Sequence, residues 1–160
     1  MGSEMCIRDS CYEGLAWVTG AAVMAGGAMP DWRILVTAGL YSAGAHGIMT
    51  LNDFKSVDGD RRMGIGSLPV RLGVEAAGRV ACVAMILPQA VVVALLWTWD
   101  RPLHALAVAV LMVAQMALMV RLLESPRERA PWYNATGISL YVSGMLVSAF
   151  ALRALTAASP

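Results

Sequence analysis

At 160 residues, 58% hydrophobic and only 14% charged, the chain has too little charge to coat a water-soluble domain, which devotes roughly a quarter of its residues to charged side chains. With a mean hydropathy of +0.62, its surplus apolar surface must face a lipid bilayer. The net charge of +1 gives no electrostatic footprint for nucleic acid, and the three cysteines, Cys6, Cys11 and Cys82, show no metal spacing and imply no disulfide framework.

Residues 1–10 lack the apolar core of a signal peptide. Met5-Cys6-Ile7-Arg8-Asp9-Ser10 resembles one reading frame of a transposon end used in sequencing libraries. The expectation is a non-native read-through over 1–10, with natural sequence from about Cys11 or Tyr12, which makes the chain a fragment. Residues 15–29 are apolar and rich in Gly and Ala. They form a first span only if they extend back through Tyr12, since about twenty residues cross a bilayer. Pro30-Asp31-Trp32-Arg33 reads as a tight turn with an interfacial tryptophan. Residues 34–51 are the second span, where Gly39, Ala43 and Gly47 recur every four residues and predict close helix approach. A polar segment covers 52–75.

Residues 76–97 are the third span, with Pro88 a kink site and Cys82 a small buried residue. Thr98-Trp99-Asp100-Arg101-Pro102 is a turn. Residues 103–123 are the fourth span, whose Met112, Met116 and Met119 read as packing or lipid-facing surface. His104, just past the turn, reads as interfacial. A charged loop over 124–131 precedes the fifth span, 132–155, and 156–160 is a frayed tail. The fold class expected is an all-α polytopic transmembrane helix bundle of about five spans. Lys55, Arg61, Arg62, Arg71, Arg79, Arg121, Arg127 and Arg129 then share one side, against Arg33, Arg101 and Arg153 on the other. The positive-inside rule puts the polar segment in the cytoplasm.

That segment is the most polar of the chain. Asn52-Asp53-Phe54-Lys55-Ser56-Val57-Asp58-Gly59-Asp60-Arg61-Arg62 packs three carboxylates and three cations between apolar spans, where unpaired charge is costly. If the preceding helix continues, Asp53 and Asp60 lie two turns apart on one face. Two such carboxylates suit Mg²⁺, which keeps several waters and takes a substrate phosphate as well, and Lys55, Arg61 and Arg62 suit the remaining phosphate oxygens. The plainer alternative is a set of solvated loop charges. Asp58 falls about 140° from Asp53 on helical spacing, and reads as an outer-shell group or a partner for Arg62. Gly59 and Gly64 mark a bend, a close approach or an ordinary turn. His46 lies seven residues before Asp53, about 10 Å deeper. It is either a packing histidine or a ligand-facing imidazole.

Asn52-Asp53 through Gly59-Asp60-Arg61, then Gly64 and Ser67-Leu68-Pro69-Val70, resemble the second aspartate-rich motif of the UbiA-type intramembrane prenyltransferases. Within that family the pattern is most similar to the chlorophyll and bacteriochlorophyll synthases, which place a serine at Ser56 where many relatives have an aspartate. Ala130-Pro131-Trp132-Tyr133-Asn134-Ala135-Thr136-Gly137 continues the likeness, which covers about 12–153. The resemblance implies that 11–155 is the C-terminal half of one membrane prenyltransferase domain, a piece of a larger bundle.

It also implies Mg²⁺ on Asp53 and Asp60, with Asn52, Ser56 and Asp58 in the outer shell and Lys55, Arg61 and Arg62 on the diphosphate. His46, Tyr133 and Asn134 are candidate contacts to a chlorin, although an aromatic belt would explain Trp132 and Tyr133 without one. The implied reaction is transfer of a geranylgeranyl or phytyl group from its diphosphate to the propionate carboxylate of bacteriochlorophyllide or chlorophyllide. The implied location is a bacterial cytoplasmic or intracytoplasmic photosynthetic membrane. The family's first motif, Asn-x-x-x-Asp, is absent from this sequence, so the chain is not expected to act alone. The alternatives are a prenyltransferase for a quinone or haem precursor, a non-catalytic membrane subunit, or a helical transporter fragment.

Overall fold

The computed structural model describes residues 14–156; the proposed read-through over 1–10 and the tail beyond 156 lie outside the described residues. All regular structure among them is helical. In chain order the helices are α1 (Gly14–Met24), α2 (Trp32–Asn52), a 3-10 turn (Asp53–Lys55), α3 (Val57–Arg62), α4 (Leu68–Leu72), α5 (Val74–Thr98), α6 (Pro102–Glu124) and α7 (Pro126–Thr156). Four segments are long and apolar enough to cross a membrane: Trp32–Lys55, Val74–Thr98, Pro102–Glu124 and Pro126–Leu155. The first span expected over 15–29 is described only as the short α1. It ends at Met24 because Gly26 and Gly27 both turn to positive φ, a conformation that breaks a helix.

Large apolar side chains stay exposed at helical spacing. Val83, Leu87 and Val91 line α5, Leu103, Leu106, Val110 and Val113 line α6, and Val142, Leu146 and Phe150 line α7. Such stripes would be an aggregation hazard in water; here they are the lipid-facing faces of an integral membrane protein.

Local chemistry sets the helix ends. Asp31 caps α2, its Oδ1 accepting from the Arg33 N–H at 2.7 Å, and Trp32 packs edge-on against Trp99 across the same end of the bundle. Arg101 donates to the Ala154 carbonyl at 3.1 Å, tying the start of α6 to the end of α7 there. α5 accommodates Pro88 without a break. The charged loop expected over 124–131 is mostly helix: a single residue, Ser125, separates α6 from α7. Pro126 starts α7 because its missing N–H belongs to a position that needs no partner and its φ suits the first turn.

α2 packs chiefly on α5, and α6 on α7. A Cβ at Gly47 would fall on the Ala81 carbonyl, and one at Gly44 would fall on the Tyr141 ring, whereas one at Gly39 would meet open space. The close-approach face is therefore Gly44 and Gly47, not the Gly39–Ala43–Gly47 stripe. The interior holds polar groups in pairs. Gln89 Nε2 donates to Gln115 Oε1 at 2.8 Å, and Gln115 Nε2 donates to the Tyr133 hydroxyl at 3.0 Å. Tyr41 and Ser148 share a 2.8 Å hydroxyl contact, and Tyr141 donates to the Tyr41 carbonyl at 2.8 Å. These bonds join α2, α5, α6 and α7 across the bilayer interior, where an unpaired polar group has no water to turn to.

Candidate functional site

The up-and-down order of α2, α5, α6 and α7 gathers the polar segment, the start of α5, the end of α6 and the start of α7 at one end of the bundle. At the end of α2 the winding tightens. Leu51, Phe54 and Val57 are all buried, at 1%, 1% and 2% exposure. They are spaced by three, and three residues per turn is 3-10 geometry; a regular α-helix would carry Val57 away from the face of Leu51. The continuous helix assumed for Asp53 and Asp60 is thus corrected to α2, a 3-10 turn and then α3. The two aspartates are related through Ser56, one 3-10 turn after Asp53 and one α-turn before Asp60. The Ser56 hydroxyl stands 3.0 Å from the Asp53 carbonyl and 3.2 Å from Asp60 Oδ2.

α3 ends at Gly64, whose φ is +68°. The Ile65 N–H bonds the Asp60 carbonyl at 2.8 Å and the Gly64 N–H bonds the Arg61 carbonyl at 3.4 Å, the paired pattern of a left-handed helix stop. Gly64 is therefore a reversal, while Gly59 sits inside α3 with open space around it. The reversal returns the chain over α3 and brings Ser67, 6% exposed, within 2.8 Å of Asp60 Oδ2.

Two clips fix this end to α7. Asn134 Nδ2 donates to Asn52 Oδ1 at 2.7 Å. Arg127 donates to Asp58, so the partner of Asp58 is Arg127 rather than Arg62. The Arg127 guanidinium, first by its hydrogen bond and then by its charge, with Arg61 and Arg62 adding to it, holds the Asp58 carboxyl below the usual carboxylate range. Lys55, Arg61 and Arg62 are exposed and make no ion pair among the described residues. The buried Asn134 Oδ1 finds no hydrogen-bond partner there.

His46 is half-buried on α2, its carbonyl accepting from the Thr50 hydroxyl at 2.8 Å. Tyr133 is fully buried, with its ring on Gly137 and its hydroxyl on Gln115. It faces the core between helices rather than a membrane interface; Trp132 beside it is exposed. A cavity of about 790 Å³ lined by Trp17, Met24, Asp31 and Arg153 opens at the other end of α2, away from all of these groups. Sequence reasoning gave no role to Ser67, Arg127, Gln89 or Gln115. The glutamines carried a signal, since polar residues inside apolar spans face the bundle interior. Ser67 lay inside the quoted motif without a visible reason.

Among the described residues no three His, Cys, Asp or Glu side chains come together as a metal cage. One or two carboxylates suffice for Mg²⁺, because it retains waters and shares its shell with substrate phosphate. Asp60 fits that requirement: among the described residues its carboxylate meets neutral hydroxyl donors and pairs with no cation.

A family model described as the UbiA prenyltransferase family matches residues 13–143. The chain is 54% identical over 145 residues to the bacteriochlorophyll synthase 33 kDa chain of Cereibacter sphaeroides, covering 91% of this chain and 48% of that protein. It is 50% identical over 147 residues to the protein of the same name from Rhodobacter capsulatus, covering 91% and 48%. It is 38% identical over 141 residues to the chloroplastic chlorophyll synthase of Oryza sativa subsp. japonica, covering 88% and 37%. The chain spans about half the length of the curated relatives it matches. No solved structure matches it.

Proposed function

The chain belongs to the UbiA prenyltransferase family, and from that membership we propose that it carries one half of the site that transfers a geranylgeranyl or phytyl group from its diphosphate to the propionate carboxylate of a bacteriochlorophyllide or chlorophyllide. The observation that carries the proposal is the acidic end of the bundle: a carboxylate at Asp60 oriented by serines, with Asp53 before it and Lys55, Arg61 and Arg62 exposed around it. Relatives at 54% and 50% identity are named bacteriochlorophyll synthases, which supports the choice of acceptor.

In the proposed reaction a propionate oxygen forms a bond to the first carbon of the prenyl chain as the bond from that carbon to the diphosphate oxygen breaks. The electron pair leaves with the diphosphate. No protein nucleophile is required, because the acceptor is already an anion. Mg²⁺ held by Asp60 and Asp53 would neutralise the leaving diphosphate. The cations at 55, 61 and 62 hold its outer oxygens. Asn52, clipped to Asn134, and Asp58, clipped to Arg127, fix the segment against α7. The Asn134 Oδ1, a buried acceptor without a partner among the described residues, and His46 are the groups assigned to the chlorin. Tyr133, beside Asn134 in sequence, is buried in the core with its hydroxyl on Gln115. The eight cations at this end against three at the other support a cytoplasmic position for the site.

The test is a graft. This chain replaces the matching segment of the Cereibacter sphaeroides relative, and esterification of bacteriochlorophyllide is followed in isolated membranes. Ester formation that requires prenyl diphosphate and Mg²⁺ is the expected result. A graft that is inserted and folded but forms no ester would overturn the proposal.

A further inference from the structure

Ser67 stands before α4 with φ −63° and ψ 158°, the posture of a helix cap, yet its side chain makes no capping bond. A serine at that place ordinarily turns its hydroxyl to the N–H of the second or third helical residue. Here the second is Pro69, which has no N–H. The N–H of the third, Val70, is already taken by the Ser67 carbonyl at 3.0 Å. Released from α4, the hydroxyl donates to Asp60 Oδ2 at 2.8 Å from a buried position. Ser56 has one proton to divide between the Asp53 carbonyl at 3.0 Å and Asp60 Oδ2 at 3.2 Å, so Ser67 is the closer donor to the carboxylate.

We propose that Ser67 is a positioning residue for the metal: by holding Oδ2 of Asp60 it aims Oδ1 at the divalent cation. This rests on the assignment of Mg²⁺ to Asp60 above. A hydroxyl suits the task because it fixes the carboxylate without cancelling its charge, whereas an arginine in its place would compete with the cation. Among the described residues Oδ1 makes no hydrogen bond and Asp60 makes no ion pair, so the charge remains available on the side away from the serines. The reversal at Gly64 and the proline at 69 are then parts of one arrangement. The first returns Ser67 to α3, and the second frees its hydroxyl.

The experiment measures Mn²⁺ binding to the grafted enzyme described above, in which both halves of the site are present, in lipid nanodiscs, from the electron-paramagnetic resonance signal of free Mn²⁺. Ser67→Ala is expected to weaken Mn²⁺ binding about 10–100-fold, the usual loss when a group orienting a metal ligand is removed. Ser67→Thr, which keeps the hydroxyl, should bind within about twofold of the parent on that account, and Asp60→Asn should lose the site. Thermal unfolding should match the parent in all three. If Ser67→Ala fails to fold, Ser67→Cys replaces it, since a thiol keeps the shape and is a weak donor; weakened binding at unchanged stability supports the role. Loss on Asp60→Asn with unchanged affinity in the Ser67 variants overturns the role of Ser67 alone. Binding that survives Asp60→Asn, or no binding by the parent, overturns the metal assignment and the role of Ser67 with it.

Discussion

At Asp60, Asp58 and His46 three ionisable groups lie within a few turns, and their surroundings separate what each can do. Asp60 receives two hydroxyls and makes no ion pair among the described residues, as its proposed metal role requires. Asp58 is closed off by Arg127. Because that pair holds the folded Asp58 carboxyl below its ordinary value, the attachment is fully present above the unfolded carboxyl value of about 4. It is lost as pH falls through the lower, folded value. Amide protection in α3, taken relative to the intrinsic exchange rate at each pH, should therefore be high at neutral pH and fall in acid or at high salt; Asp58→Asn should abolish that dependence, and an unchanged acid response in the variant would contradict the pairing. His46 sits on the helix that ends at the site. In the grafted enzyme His46→Ala is expected to raise the KM for the chlorin more than that for the prenyl diphosphate. Equal effects on both substrates would return it to helix packing.

Four of the five expected spans were legible from composition, because four stretches are long and apolar enough to cross a membrane. Their contacts were less so. A stripe of small residues every four positions marks a close approach only if that face meets a neighbour, and Gly39 faces open space while Gly47 meets Ala81. Gly47→Leu should accordingly force α2 off α5 and cost about 1–3 kcal/mol or more by overpacking, whereas Gly39→Leu should leave thermal unfolding in detergent unchanged; equal destabilisation by both would contradict the packing face. Gln115→Leu strands the Tyr133 hydroxyl and leaves Gln89 Nε2 only the Met85 carbonyl, for about 1 kcal/mol on the scale of intramembrane hydrogen bonds. The tightened turn at 53–55 was hidden because the assumption of 3.6 residues per turn left the spacing of Leu51, Phe54 and Val57 unread. The Asp58–Arg127 pair spans 69 residues, a separation that no local pattern announces. Ser67 could have been singled out from the proline two residues on, had the missing N–H been counted.

For the whole molecule, one end concentrates the acidic segment and most of the cations, and the other holds the Trp32–Trp99 pair and the Asp31 cap. With the native cysteines replaced, a cysteine at the exposed position of Met63 should resist membrane-impermeant reagent from the periplasmic side of intact cells; efficient labelling would reverse the orientation. The family and the motif were legible because their residues are contiguous in sequence. The clips from α7 were not, since Asn134 and Arg127 reach the motif only once the bundle has formed. The proposed hold of Asp60 on the metal at the leaving diphosphate is probed by Asp60→Asn in the grafted enzyme, with bacteriochlorophyllide esterification measured across a Mg²⁺ titration. The expected result is a loss of about 10²-fold or more that added Mg²⁺ does not restore, with the bundle still folded; near-parent activity at low Mg²⁺ would remove Asp60 from the metal site.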